Sequence, residues 1–486
     1  MMDRDLPQGR AMNLGSKKPL SLALAAIGLM LAFGAQAEPI IIDHTTLIDG
    51  TGRAPRQDMS VVIDGGRFTV VGPSILAQGL PGRRIDGRGK FLIPGLMDIH
   101  IHLAGFSRAG QAWIPSTKTT TTGKWVVDRK VGEQALASFL YAGVTTVLDV
   151  GNIPENILPL RTDERAGKLL APHIFATGNL VTYPGSHGTD IAINVSSWPE
   201  AEAQLQAQFD SQHPDIQKIT YDDEGWGSRP LIPILPKDLL QHIIQFYNAH
   251  GVRTTVHISN ESRALEAVYS GVDTLAHTPI QGPLTDAFVK MAAAKQIPMA
   301  STMMIGDNYS RIHEHPEFLD QPLYVATMAP AERARLKKIS AEGGETALAT
   351  SPPLYQRSWR LWMKTQTPIL QDNIRRIDAA GGVIAAGTDG TNGAGTQREL
   401  ELLAQAGVPN LEIIKIATFN GARFLGKQEQ MGSIEEGKIA DAVLLSADPT
   451  ADINNCKAIV FVMKAGEIID ESKLSLAGGP EPRRMP

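Results

Sequence analysis

The sequence predicts an α/β fold, a (β/α)8 TIM barrel with a small β-sandwich domain formed by both chain ends. Three observations carry this. Between Pro94 and Asp389, strand-like apolar runs alternate with helical patterns, the signature of βα units around a parallel sheet. Eight such runs can be counted, and eight units close naturally into a barrel. The stretches on either side are short, β-rich and punctuated by turns, so residues 38–93 and 423–475 read as one domain contributed by both ends.

Taken in order, the chain begins with a polar extension, then Lys17 and Lys18, an apolar run from Leu20 to Phe33, and Ala35-Gln36-Ala37. A basic segment, a short apolar stretch and small residues form the pattern a signal peptidase accepts. Residues 1–37 are therefore assigned as a signal peptide with an extension, Met12 being the favoured start and cleavage falling after Ala37. The apolar run is shorter than the roughly 20 residues a membrane span needs, which argues against an anchor. The mature chain is expected to be periplasmic or secreted, with no stable membrane span.

Strand-like runs follow at 39–42, 60–63 and 68–71, separated by the Asp49-Gly50 and Gly65-Gly66 turns. The barrel domain, 94–422, has its strands at 94–102, 144–150, 173–177, 215–220, 252–257, 272–277, 297–301 and 383–389. One interval breaks the even spacing. Residues 303–382, about eighty, far exceed the usual loop and carry Tyr355, Trp359, Trp362 and Met363. An insertion there sits over the barrel mouth, as a substrate lid or as an oligomer contact. Beyond Gly426, strands return at 442–445 and 459–464, and 476–486 reads as a flexible Gly/Pro-rich tail.

Composition excludes several classes. The net charge of −5 over 486 residues, without a dense Lys/Arg block, gives no electrostatic footprint for nucleic acid. The single cysteine, Cys456, rules out an intrachain disulfide framework and a thiolate metal cluster, leaving His, Asp and Lys as ligands. A small molecule or short peptide is the expected partner, and a homo-oligomer is compatible with the sequence.

Chemistry concentrates at Phe91 to Leu103, FLIPGLMDIHIHL. Strand alternation puts Asp98, His100 and His102 on one face, and two imidazoles at that spacing can hold one metal ion without bending the strand. The remaining candidates fall late in other strands: Lys218 in the fourth, His257 closing the fifth, His277 the sixth and Asp389 the eighth. A lone His at a strand end is weak evidence. Six residues of metal-compatible type at the same edge of one barrel would converge within a single cup.

With these motifs the sequence resembles the amidohydrolase superfamily, in the branch of imidazolonepropionase-like hydrolases, prolidase-like dipeptidases and ochratoxinase. The resemblance runs from about Pro39 to Met463 and includes GSIEEGKIADAVLL near the C-terminus. It implies a binuclear centre: His100, His102 and Asp389 on the buried ion, His257 and His277 on the more exposed one, and Lys218, carboxylated by carbon dioxide, bridging both. An unmodified ammonium would repel two cations, whereas a carbamate is a bidentate anion. Zinc is the default ion for such His-rich ligation. A hydroxide shared by the ions attacks the substrate, and Asp389 passes its proton to the leaving amine.

The same resemblance assigns His187, in TYPGSHGTD, to the substrate carbonyl or carboxylate, and Tyr221 to a substrate carboxylate. The implied activity is cleavage of amide bonds in small peptides or N-acyl amino acids. Lactone or phosphotriester hydrolysis by the same centre is the alternative. Deaminases of the superfamily resemble one another in lacking the bridging lysine and in placing a glutamate where this chain has Asn260. A non-catalytic metal-binding periplasmic protein leaves the complete ligand set unexplained.

Overall fold

The computed structural model describes residues 38–109, 113–114, 119–120, 123–224, 231–342 and 353–479, except for the side chains of 113–114, 119–120 and 353–360. The assigned signal segment and the side chains of Tyr355 and Trp359 lie outside the described residues.

Both ends of the described chain feed one eight-stranded sheet. Its first five strands are Ile40–Leu47, Arg56–Asp64, Arg67–Pro73, Arg83–Asp86 and Phe91–Pro94. Ala442–Leu445, Ile459–Lys464 and Glu467–Ile468 complete it. The ends meet where Phe91–Pro94 runs antiparallel to Ala442–Leu445, with Leu92 opposite Leu444. Pro94 has no N–H to donate and closes that strand. Alternation with period two gathers Met59, Val61, Ile63, Leu444 and Phe461 into one apolar cluster. Ile93, Val443 and Val462 instead join the barrel core around Leu96 and Val144.

The barrel strands are β1 (Leu96–Ile101), β2 (Val144–Asp149), β3 (His173–Ala176), β4 (Ile216–Thr220), β5 (Arg253–His257), β6 (Thr274–Leu275), β7 (Met299–Ala300) and β8 (Ile384–Ala385). All are parallel to their neighbours within the runs β1–β2–β3 and β4 to β8. Individual hydrogen bonds close the two remaining seams. Asp215 N donates to Ala176 O at 3.0 Å between β3 and β4, and Ile99 N to Ala386 O at 3.0 Å between β8 and β1. Every residue of β1 and β2 is buried, as expected for strands covered on both faces.

The interval after β7 is mostly helical. Helix Met303–Glu314 starts directly at the end of β7 and is followed by Pro322–Thr327 and Pro330–Ala341. Helix Pro353–Ala379 then leads back to β8 as the ordinary crossover helix, so the excursion proper is 303–352. At the C-terminal end Leu476 is buried and Gly478 N donates to Ala326 O at 3.0 Å, while residues 480–486 lie outside the described set.

A charged cluster pins the terminal sheet to the barrel. His173, the first residue of β3, lies between Glu164 (3.4 Å) and Asp441 (3.2 Å), and Lys464 reaches Glu164 at 2.6 Å. Burial opposes charging of His173, but Asp441 and Glu164 outweigh it and push its pKa up to about 9. A raised pKa contributes stability in full below the unfolded value near 6.5 and loses it as pH rises through about 9. Thermal melts from pH 6 to 10 are expected to lose about 1–3 kcal/mol from this group over that window. His173→Gln should flatten that alkaline limb; an identical limb in the variant would refute the assignment.

Candidate metal centre

At the C-terminal edge of the strands, β1 presents His100 and His102, and the turn after β8 returns Asp389 between them. Nε2 of His102 and of His100 lie 3.4 and 3.7 Å from the same Asp389 Oδ1. The three side chains form a group able to hold one metal ion. Asp389 adopts φ +53°, a left-handed backbone uncommon for a non-glycine residue, and its N–H donates to His100 O at 2.8 Å. Strain of this kind collects at functional sites because surrounding structure enforces it.

Second contacts decide which nitrogen faces the cup. His100 Nδ1 lies 2.6 Å from Ala276 O and His102 Nδ1 2.7 Å from Gly151 O. A carbonyl can only accept, so each Nδ1 carries the proton and each Nε2 keeps its lone pair towards Asp389. Burial, then the charges of Lys218 and His102, lowers the His100 pKa well below its ordinary value and keeps the ring neutral.

Two further histidines complete the cup. His277 packs against His100 with ring centres 4.5 Å apart, and against His257 at 4.6 Å. Its Nδ1 lies 2.9 Å from Thr302 Oγ1, and His257 Nε2 lies 3.3 Å from Asp222 Oδ2. With the proton on His257 Nε2 facing that carboxylate, its lone pair is on Nδ1. Burial lowers both pKa values, that of His257 against the opposing pull of Asp222. Lys218, buried on β4, places Nζ 3.4 Å from His100 Nε2. Burial brings its pKa down to about 8.

This donor set fits a divalent metal ion. Neutral imidazoles with fixed tautomers, a carboxylate shared by two of them, and a lysine driven towards its neutral form are what such ligation requires.

The substrate candidates separate. His187 stacks on His257 at 4.3 Å, nearly parallel, and its backbone O accepts from Thr220 Oγ1 at 3.0 Å and Thr182 Oγ1 at 3.2 Å, which fixes the loop. Tyr221 is buried; its hydroxyl donates to Glu266 Oε2 at 2.9 Å and Arg263 lies over its ring. The Tyr221 side chain is thus joined to Glu266 and Arg263 rather than to the histidine cluster.

Sequence reasoning gave no role to several carboxylates. Asp222 holds His257 and accepts from Ser259 Oγ at 2.8 Å. Asp98, two residues before His100, accepts from Thr388 Oγ1 (2.9 Å) and Thr396 Oγ1 (2.8 Å), so it secures the turn that carries Asp389. Burial raises its pKa to about 7 despite those bonds. Its place on the His100 face of β1 was the available signal. Asp222 had none beyond following Tyr221, because its role depends on a neighbour 35 positions away.

Comparison with known proteins identifies relatives over most of the chain. A model of the amidohydrolase family matches residues 91–469. The chain is 22% identical over 435 residues, 85% of its own length and 86% of the relative's, to a 5-methylthioadenosine/S-adenosylhomocysteine deaminase of Symbiobacterium thermophilum. It is similar in fold to a Xaa-Pro dipeptidase with methionine in its active site, at TM-score 0.68 and 21% identity, covering 89% of this chain and 100% of that one. Ochratoxinase of A. niger is similar too, at TM-score 0.68 and 18% identity, covering 93% of this chain and 99% of that one. With the family model extending over the barrel and the returning sheet strands, and with a metal-type donor set at the strand ends, the chain belongs to the amidohydrolase family and is a metal-dependent hydrolase of carbon–nitrogen bonds.

Proposed function

We propose that the protein is an exported binuclear hydrolase that cleaves the amide bond of a small peptide or an N-acyl amino acid. The position of Lys218 carries this reading. Its Nζ is 3.4 Å from His100 Nε2, and the His100 ring packs on His277, which packs on His257, so a carbamate there would lie among both sets of histidines. Two divalent ions held by these residues would polarise the scissile carbonyl and lower the pKa of water from 15.7 towards about 7.

The chain's own groups do the rest. His100 and His102 enter with their tautomers fixed by Ala276 O and Gly151 O, so no reorganisation is needed when substrate arrives. Asp389 takes the proton of the attacking water and returns it to the leaving nitrogen, a general base and then a general acid. His187, over His257 at the rim, is the proposed donor to the substrate carbonyl. The bond from Tyr221 to Glu266 supports a supporting role for that tyrosine, in holding helix Glu261–Tyr269.

The deaminase reading has named relatives behind it but lacks a catalytic carboxylate after β5. Asn260, which stands in that place, accepts from Arg263 N at 3.0 Å as the cap of helix Glu261–Tyr269. Metal-loaded protein is expected to hydrolyse dipeptides and N-acyl amino acids and to release no ammonia from adenine nucleosides. Turnover of lactones or phosphotriesters without amide cleavage would overturn the amide assignment.

No helix among the described residues is long and apolar enough to cross a membrane. Export rests on the N-terminal pattern. Mass spectrometry of the protein from a Gram-negative periplasm is expected to find a mature start at Glu38, and an intact segment ahead of Ala37 in the cytosol would refute it.

A further inference from the structure

A second feature adjoins the metal centre on one side only. A cavity of about 420 Å³ opens between Asp389 and the excursion after β7. Met304, Ile305, Tyr309 and Ile312 of helix Met303–Glu314 form one wall, and Phe318 and Leu336 close it. The floor is the loop Gly390, Thr391 and Asn392. Glycine leaves room beneath Met304: a Cβ at Gly395 would meet its sulfur at 2.9 Å and displace that side chain.

The wall is fixed rather than hinged. Helix Gly393–Gln405, which begins four residues after Asp389, grips it at two points. Glu399 accepts from the N–H groups of Met303 (3.0 Å) and Met304 (2.7 Å), capping the wall helix, and Arg398 makes a two-pronged pair with Asp307, both bonds at 2.9 Å. Gly306 lets the same helix lie against Thr367 of helix Pro353–Ala379, where a Cβ would come within 2.6 Å of the hydroxyl. A cavity whose wall is tied to the helix that follows Asp389 keeps its register with the reacting atoms, as a preformed subsite does.

Its chemistry selects the occupant. Among the lining residues Asp389 is the one charged group, and apart from Asn308 the wall is aliphatic, aromatic and thioether, a surface that suits aromatic rings. Arg311, which packs on the lining residues Phe318 and Tyr324, is already engaged: it donates to the Tyr324 hydroxyl at 3.1 Å and lies 4.2 Å over the Phe318 ring. No lining residue is cationic, so a substrate carboxylate placed at the apolar end of the cavity, away from Asp389, would go unpaired.

We propose that this cavity is the subsite for an uncharged aromatic or branched aliphatic side chain of the substrate, held beside Asp389 while the adjoining amide is cleaved. The inference rests on the amide-hydrolase reading for its substrate and on the cavity alone for its binding.

The test separates the two. Isothermal titration of the metal-loaded protein with 3-phenylpropan-1-ol, 3-phenylpropionate and propan-1-ol reads binding without any scissile bond. The aromatic alcohol is expected to bind at least about tenfold more tightly than either comparator, and Leu336→Trp or Met328→Trp, which fill the cavity, should remove that preference. In parallel, the ratio of kcat/KM for N-acetylphenylalanine amide over N-acetylalanine amide should fall about 10- to 200-fold in the same variants, with folding checked by thermal melts. Equal binding of the three probes, or a preference and a ratio unchanged in both folded variants, overturns the subsite. Aromatic binding lost on filling, with no amide cleaved by the wild type, keeps the subsite and rejects the amide reading instead.

Discussion

Asp389→Asn is expected to cut turnover about 10²- to 10⁴-fold, roughly 3–5 kcal/mol, while leaving the fold intact. The residue's backbone does the structural work: its N–H donates to His100 O at 2.8 Å, and its left-handed conformation is one that asparagine also adopts. The side chain keeps its size but loses its basicity and its charge, so it can neither take the proton of an attacking water nor protonate the leaving nitrogen. One oxygen would still lie near His102 and His100, now 3.4 and 3.7 Å from Oδ1, so a metal contact can persist after the base is gone. Elemental analysis beside kinetics distinguishes the two losses. Near-normal turnover at normal metal content would reject Asp389 as the proton carrier.

Lys218→Ala should have the other large effect, through occupancy rather than proton transfer. The wild type is expected to carry roughly two divalent ions per chain, and the variant at most one, with activity lost in step. A carbamate on Lys218 would supply the anion that two cations need. Loading should also depend on pH and bicarbonate. Only a neutral amine reacts with carbon dioxide, and the pKa of Lys218 in the metal-free cup is about 8, so reconstitution should accelerate as pH rises towards and through that value. Full activity of Lys218→Ala with two ions bound would sink the bridging role.

Much of this was legible in the chain itself. Continuous apolar runs punctuated by turns located all eight barrel strands, because strands covered on both faces must be apolar along their whole length. Their ends proved less readable. The run at 272–277 pairs regularly only over Thr274–Leu275, since regular pairing depends on where the neighbouring strand stops. The metal-type residues were likewise visible, as a barrel brings the C-terminal ends of its strands to one place whatever their separation in sequence.

What sequence spacing could not decide was everything fixed by contacts between distant segments. The tautomers of His100 and His102 depend on carbonyls at Ala276 and Gly151, which periodicity does not locate. Asp98 and Asp222 act through partners on other strands and loops, so their spacing within their own strands carries no trace of it. The interval 303–382 was open to a lid or an oligomer contact; Glu399 and Arg398, from beyond β8, pin helix Met303–Glu314 as a wall beside Asp389. The sequence by itself determined the strand order and the meeting of His100, His102 and Asp389 at one strand edge, because local hydrophobic pattern and barrel closure suffice for those. Only the tertiary structure decided protonation state, the positioning carboxylates and the shape of the adjoining cavity, because each is set by burial and by hydrogen bonds across long loops.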